Sequence, residues 1–162
     1  MQAFSNMRRN SADQKYLKLF FLSALMVLGQ IMSSLYPFIP SFVGLLFCYI
    51  LLNFHKEESL LPIFFAFVYL TFYDINRGFY LFSYVILFFL FYRFAVEKIQ
   101  NMTTCSNCIL TTYVFVAYLG HYALNCLFAY LTNMPFPYFS NHYFYYIAFD
   151  SIFAFMLFRV SR

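Results

Sequence analysis

The run LFFLSALMVLGQIMSSLY, residues 19–36, is the first of six apolar stretches that take up most of this chain. SFVGLLFCYILLNF (41–54), LLPIFFAFVYLTFY (60–73) and FYLFSYVILFFLFYRFAV (79–96) follow, then ILTTYVFVAYLGHYALNCLFAYL (109–131) and YFYYIAFDSIFAFMLFRV (143–160). Nothing constrains the fold more, because a backbone inside hydrocarbon must satisfy its own N–H and C=O groups, which leaves helices or a closed barrel. The runs are continuous, without the in-out alternation of barrel strands, so the pattern predicts an all-α integral membrane protein with six transmembrane helices. A helical crossing takes about 20 residues, so nearly all of the 162 residues are needed to cross. That leaves no room for a soluble catalytic or nucleic-acid-binding domain. Composition agrees: 64% hydrophobic, 26% aromatic and only 10% charged.

The polar breaks carry the topology. MQAFSNMRRNSADQKYLK (1–18) reads as a cytoplasmic tail. A signal peptide is the alternative there, but the run after it is long enough to span and no small-residue cleavage site precedes a polar region. Pro37 and Pro40 end the first helix. With six spans and the N-terminus inside, Arg8, Arg9, Lys15, Lys18, Lys56, Arg93, Lys98, Arg159 and Arg162 all fall on the cytoplasmic face, and of the ten basic residues only Arg77 falls outside. That obeys the positive-inside rule and predicts both termini in the cytoplasm. The net charge of +4 is scattered over helix ends, so it marks topology and not a nucleic-acid surface.

Between the third and fourth runs lies YDINRGFYLFSY (73–84), with an acid, an amide, a base and a glycine amid apolar sequence. Gly78 suits a tight turn. Asp74 stands at the C-terminal end of a helix, where the macrodipole disfavours a negative charge, so a pair with Arg77 is expected to compensate it, with Asn76 bonding locally.

Three features resemble the rod shape-determining protein MreD family of the bacterial cell-elongation machinery. These are the small size, the polar turn before the third helix with Asp at that helix's end (LNFHKEESLLPIFFAFVYLTFYDIN), and the glycine turn into an aromatic helix (GFYLFSYVILFFLFYRF). The resemblance implies a fold similar to the substrate-binding membrane subunits of energy-coupling-factor transporters, and a location in the bacterial inner membrane. It implies a non-enzymatic scaffold that regulates cell shape and peptidoglycan synthesis, without cofactor or metal. MreC would be its direct partner, and through MreC the MreB filament, RodA and a penicillin-binding transpeptidase. The family's partner-binding role carries over to Asp74, with Gly78 as the turn residue; Asn76 and Arg77 join the motif on chemical grounds.

Two other constellations suggest different functions. Cys105-x-x-Cys108 resembles quinone-linked thiol oxidoreductases of the DsbB type, but the charge pattern puts that loop in the reducing cytoplasm, and a lone CxxC is half a zinc site. His121 and Asn125 lie one turn apart on the fifth helix, and Asp150 lies on the sixth. Counted inward from the helix ends, His121 is about ten residues deep and Asp150 about eight, a mismatch of roughly 3 Å, so contact is expected. An acid at that depth costs about 2.5 to 3.5 kcal/mol unless it faces inward to a partner. An interhelical hydrogen bond is the simplest reading, and a solute-binding transporter subunit is the functional alternative.

Overall fold

The computed structural model describes residues 17, 20–21, 24–25, 27–36, 38–54, 60–103 and 105–158, with the side chain of Ser106 excepted. Arg8, Arg9, Lys15, Lys18, Lys56, Arg159 and Arg162 lie outside them, so the charge count remains a statement about sequence. Six helices make up the described chain, and it contains no strand. Residues 27–35 close α1, α2 is Val43–Asn53 and α3 is Leu60–Arg77. The continuous helix α4 joins Ser83–Phe91, a π-helical turn Tyr92–Val96 and Glu97–Met102. Likewise α5 joins Ser106–Phe115, a π-helical turn Val116–Gly120 and His121–Thr132, and α6 is His142–Leu157.

The boundaries differ from the apolar runs where the polar motif lies. Expected to stop at Tyr73, α3 continues through Asp74, Asn76 and Arg77, while α4 starts at Ser83 and not at Phe79. Gly78, at φ 70°, ends α3. The Phe79 N–H donates to Asp74 O at 2.8 Å and the Gly78 N–H to Ile75 O at 3.2 Å, the paired bonds of a Schellman cap. Asn133, at φ 52°, closes α5 in the same way, with Met134 N–H donating to Ala129 O at 2.9 Å.

Uncharged and apolar all round, α2 is the central helix; it packs on α3, α5 and α6 and buries Val43, Gly44, Leu46, Phe47, Cys48, Ile50 and Leu51. At 11 residues it is about 16 Å long, half the hydrocarbon thickness of a bilayer. Asn107–Thr132, with 26 residues or about 39 Å, is the helix among the described residues that is long and apolar enough to cross a membrane. The others fall short for readable reasons: α6 has 16 residues, α3 carries Asp74 and Arg77, and α4 carries Arg93, Glu97 and Lys98.

Burial runs opposite to hydropathy on α1. Its buried positions are Gln30 and Ser33, while Val27, Leu28, Ile31, Met32 and Leu35 are exposed. On α3, Leu61, Phe64, Phe65, Val68, Phe72 and Ile75 form an exposed stripe at helical spacing, while Asp74 is fully buried. Elsewhere the core is aromatic and aliphatic, with Phe47, Tyr73, Tyr84, Phe88, Tyr113 and Tyr118 among its largest members.

Candidate functional site

Both α2 and α4 begin on a phenylalanine in the left-handed region, Phe42 at φ 53° and Phe82 at φ 63°, a conformation that costs a non-glycine residue about 1 to 2 kcal/mol. A phenylalanine has no acceptor with which to cap the free N–H groups of a first turn. In each case a buried aspartate from another helix faces those groups, where the helix dipole also favours a negative charge.

On α2, the N–H groups of Gly44 and Leu45 donate to Asp150 Oδ2 at 2.9 and 3.4 Å, and the Tyr118 hydroxyl donates to the same oxygen at 2.8 Å. Glycine is required for this approach. A Cβ on Gly44 would stand 2.9 Å from Asp150 Oδ2, 2.9 Å from Val114 and 3.0 Å from Tyr118.

On α4, Asp74 Oδ2 lies 3.5 Å from the Tyr84 N–H, at the limit of a hydrogen bond. Its main partner is His121, whose Nε2 donates to Asp74 Oδ1 at 2.9 Å, the carboxylate being able only to accept. The imidazole stacks on Tyr84 with centroids 3.7 Å apart and rings 7° from parallel. Asn125 completes the cluster. Its Nδ2 donates to His121 O at 2.9 Å and Ser83 Oγ at 3.2 Å, and its Oδ1 accepts from Tyr80 N–H at 2.9 Å.

Ser83, His121 and Asp74 therefore meet, but not as a nucleophilic triad. Ser83 Oγ, at 2.6 Å, and Asp74 Oδ1 both address Nε2, whereas a triad needs the acid on Nδ1 to orient the ring while Nε2 serves the serine. The trio is also buried, with Asp74 and Ser83 at 0% exposure and His121 at 2%.

Three sequence expectations are corrected. Asp74 does not pair with Arg77: it turns inward to His121, while Arg77 Nη2 donates to Ser33 O at 3.0 Å and lies over the Tyr73 ring at 5.9 Å. Asn76 does not bond locally but donates to Ser34 Oγ, so the exposed half of the motif fastens α3 to α1, while Asp74 is fully buried. Asp150 meets neither His121 nor Asn125. The depth count placed them at one level but said nothing of rotation about the helix axis. Tyr118 lies within the π-helical turn of α5 and His121 directly follows it; the wider winding opens the angle between them, sending Tyr118 toward α6 and His121 toward α3 and α4. The Tyr84 hydroxyl donates to Ala117 O at 3.1 Å, within that turn. Sequence reading missed Ser83, Tyr84 and Tyr118; tyrosines this common give no local signal.

Cys105 and Cys108 are exposed free thiols at the start of α5. The Cys108 N–H donates to Cys105 Sγ at 3.3 Å, making Cys105 the cap of that helix, and hydrogen bonding from Cys108 lowers the Cys105 thiol below its ordinary range. No group of three or more His, Cys, Asp or Glu residues positioned to hold a metal ion occurs among the described residues.

Fold and site together define an all-α helical protein with two buried carboxylates, each set at the start of a helix, inside a largely apolar exterior. No protein-family model, curated protein or solved structure matches the chain.

Proposed function

We propose that the chain is a six-helix protein of the bacterial inner membrane that acts as a non-enzymatic scaffold of the MreD type, with MreC as its direct partner. The observation that carries the membrane part is the inversion on α1 and α3, where Gln30, Ser33 and Asp74 are buried and the large apolar side chains point out. In water that arrangement would expose more apolar surface than a monomer tolerates; in lipid it is the low-energy one. The choice of MreD rests on the resemblance of residues 52–94.

A scaffold with short loops contacts partners through its helix faces, by close packing and not by a hydrophobic drive that lipid cannot supply. The stripe Leu61, Phe64, Phe65, Val68, Phe72 and Ile75 on α3 is the surface this reading assigns to MreC. The test is co-purification of tagged protein with MreC from membranes. Recovery from wild type, with loss in a Val68→Ala, Phe72→Ala variant of equal abundance, is expected; no recovery from abundant wild type overturns the reading.

One observation favours the transporter-subunit alternative, a hollow of about 310 Å³ lined by Gly78, Phe79, Tyr80, Asn125, Met134, Pro135 and Pro137. Retention of a small solute through purification, lost in Asn125→Leu but unaffected by the α3 double variant, would favour it over the scaffold.

A further inference from the structure

Four buried side-chain atoms on α1, on α6 and before α2 lack a hydrogen bond of good geometry: one amide atom of Gln30, Ser41 Oγ, which lies beside the Tyr118 hydroxyl, Asp150 Oδ1 and Ser151 Oγ. Gln30, Ser41 and Asp150 are 0% exposed and Ser151 is 7%. Such orphans are costly, commonly about 1 to 3 kcal/mol each, so their gathering in one region needs a cause.

Their chemistry follows from Tyr69. Its hydroxyl lies 2.6 Å from Ser41 O and 2.8 Å from the Gln30 amide atom placed as Oε1. A phenol has one proton and a backbone carbonyl can only accept, so the proton goes to Ser41 O. The Gln30 atom facing Tyr69 must then be the NH₂ donor, which leaves the amide oxygen, not the nitrogen, as the orphan. All four unpartnered atoms are thus oxygens.

Three of them share one neighbourhood. Ser41 stands just before the N-cap Phe42 of α2 with its hydroxyl beside that of Tyr118, Asp150 caps the first turn through its other oxygen and bonds Tyr118, and Gln30 is tied to the Ser41 carbonyl through Tyr69. The charge is also unbalanced. The α2 N-terminus supplies roughly half a positive charge, and the one contact between a basic side chain and a carboxylate found among the described residues is that of His121 with Asp74, so none reaches Asp150. A single carboxylate amid neutral oxygens suits a small, hard, monovalent cation; thiolate or imidazole donors, which softer metals favour, are absent from the set.

We propose that Asp150, Ser41 and Gln30 form a sodium-ion site at the start of α2. The ion neutralises the carboxylate and locks α6, α2 and α1 together, so the folded bundle depends on sodium. This site stands independently of the MreD reading.

The chain has no tryptophan, so stability is best followed by the folded peak in size-exclusion chromatography after heating purified, detergent-solubilised protein. Sodium chloride is compared with choline chloride at equal ionic strength. Sodium at 100 times its Kd is expected to raise the midpoint by about 5 to 10 °C over choline. Asp150→Asn should abolish that difference, and Ser41→Ala, which removes a ligand without stranding a charge, should shift the sodium midpoint at least about tenfold, the equivalent of roughly 1.4 kcal/mol. Equal midpoints in sodium and choline for wild type overturn the site, a buried water then serving the orphans. A sodium response that persists in Asp150→Asn overturns it too. Should Asp150→Asn fail to fold, an unchanged sodium midpoint in Ser41→Ala overturns it on its own.

Discussion

Asp74 and Asp150 are both fully buried, both stand at the start of a helix that opens on a left-handed phenylalanine, and yet they are held differently. Asp150 reaches across more than a hundred residues of sequence to Gly44 and Leu45, concentrates three donors on one oxygen and leaves the other bare. Asp74 has only a long contact with its helix start, but bonds His121, which Tyr84 covers by stacking. The first is a cap supplied in trans, whose strength lies in backbone dipoles; the second is a pair of side chains held by one hydrogen bond and a stacked ring. The first should tolerate no change of shape, and the second should depend on the identity of one partner.

The sharpest way to break this contrast is through the glycines. Gly44→Ala drives a Cβ to within 3.0 Å of the carboxylate, Val114 and Tyr118, so a loss of about 3 kcal/mol or more is expected, seen as little folded protein in detergent. Gly78→Ala meets nothing within 4 Å and bears only the strain of φ 70°, about 1 to 2 kcal/mol. Equal losses would mean that the Asp150 side is not the tighter one.

Asp150→Leu strands the N–H groups of Gly44 and Leu45 and the Tyr118 hydroxyl, whereas Asp150→Asn keeps an acceptor. We expect leucine to cost at least about 2 kcal/mol more than asparagine in thermal stability. Asparagine and leucine behaving alike would remove the trans cap from the account.

For the pair, a double-mutant cycle of Asp74→Asn and His121→Gln should give a coupling near the 0.6 kcal/mol average for such bonds in membranes, up to about 1.7. Zero coupling would leave Asp74 held by its helix start alone and make the two sites alike.

The smallest effect belongs to Cys105, which caps the helix that carries Tyr118 and His121. Cys105→Ser keeps an acceptor at the cap, so stability should change by less than about 0.5 kcal/mol. Because the thiol is lowered below its ordinary range, Cys105 should alkylate at a lower pH than a free thiol in solution, with the rate falling only as pH drops through the lowered value. In intact cells an impermeant maleimide should label it only after the inner membrane is opened; labelling beforehand would reverse the proposed topology.

Much of the helical plan was legible in the chain. Continuous apolar runs predict helices because hydrocarbon leaves a backbone few other ways to pair, and Gly78 and Pro40 announce breaks through their own dihedral limits. Sequence also singled out His121, Asn125, Asp74 and Asp150 as polar residues needing partners, and put His121 and Asn125 on one face, since residues four apart on a helix are neighbours whatever surrounds them.

Which partner each acid takes was decided by tertiary structure alone. The π-helical turn at Val116–Gly120 changes the direction in which Tyr118 and His121 point, and no residue type encodes such a turn. The backbone N–H groups that receive Asp150 carry no letter in the sequence, because every non-proline residue has one; they become a site only where α2 begins beside α6. A linear reading can rank how badly a buried charge needs company, since that is a property of the residue. The company itself depends on rotation, register and the free ends of neighbouring helices, which exist only once the bundle has packed.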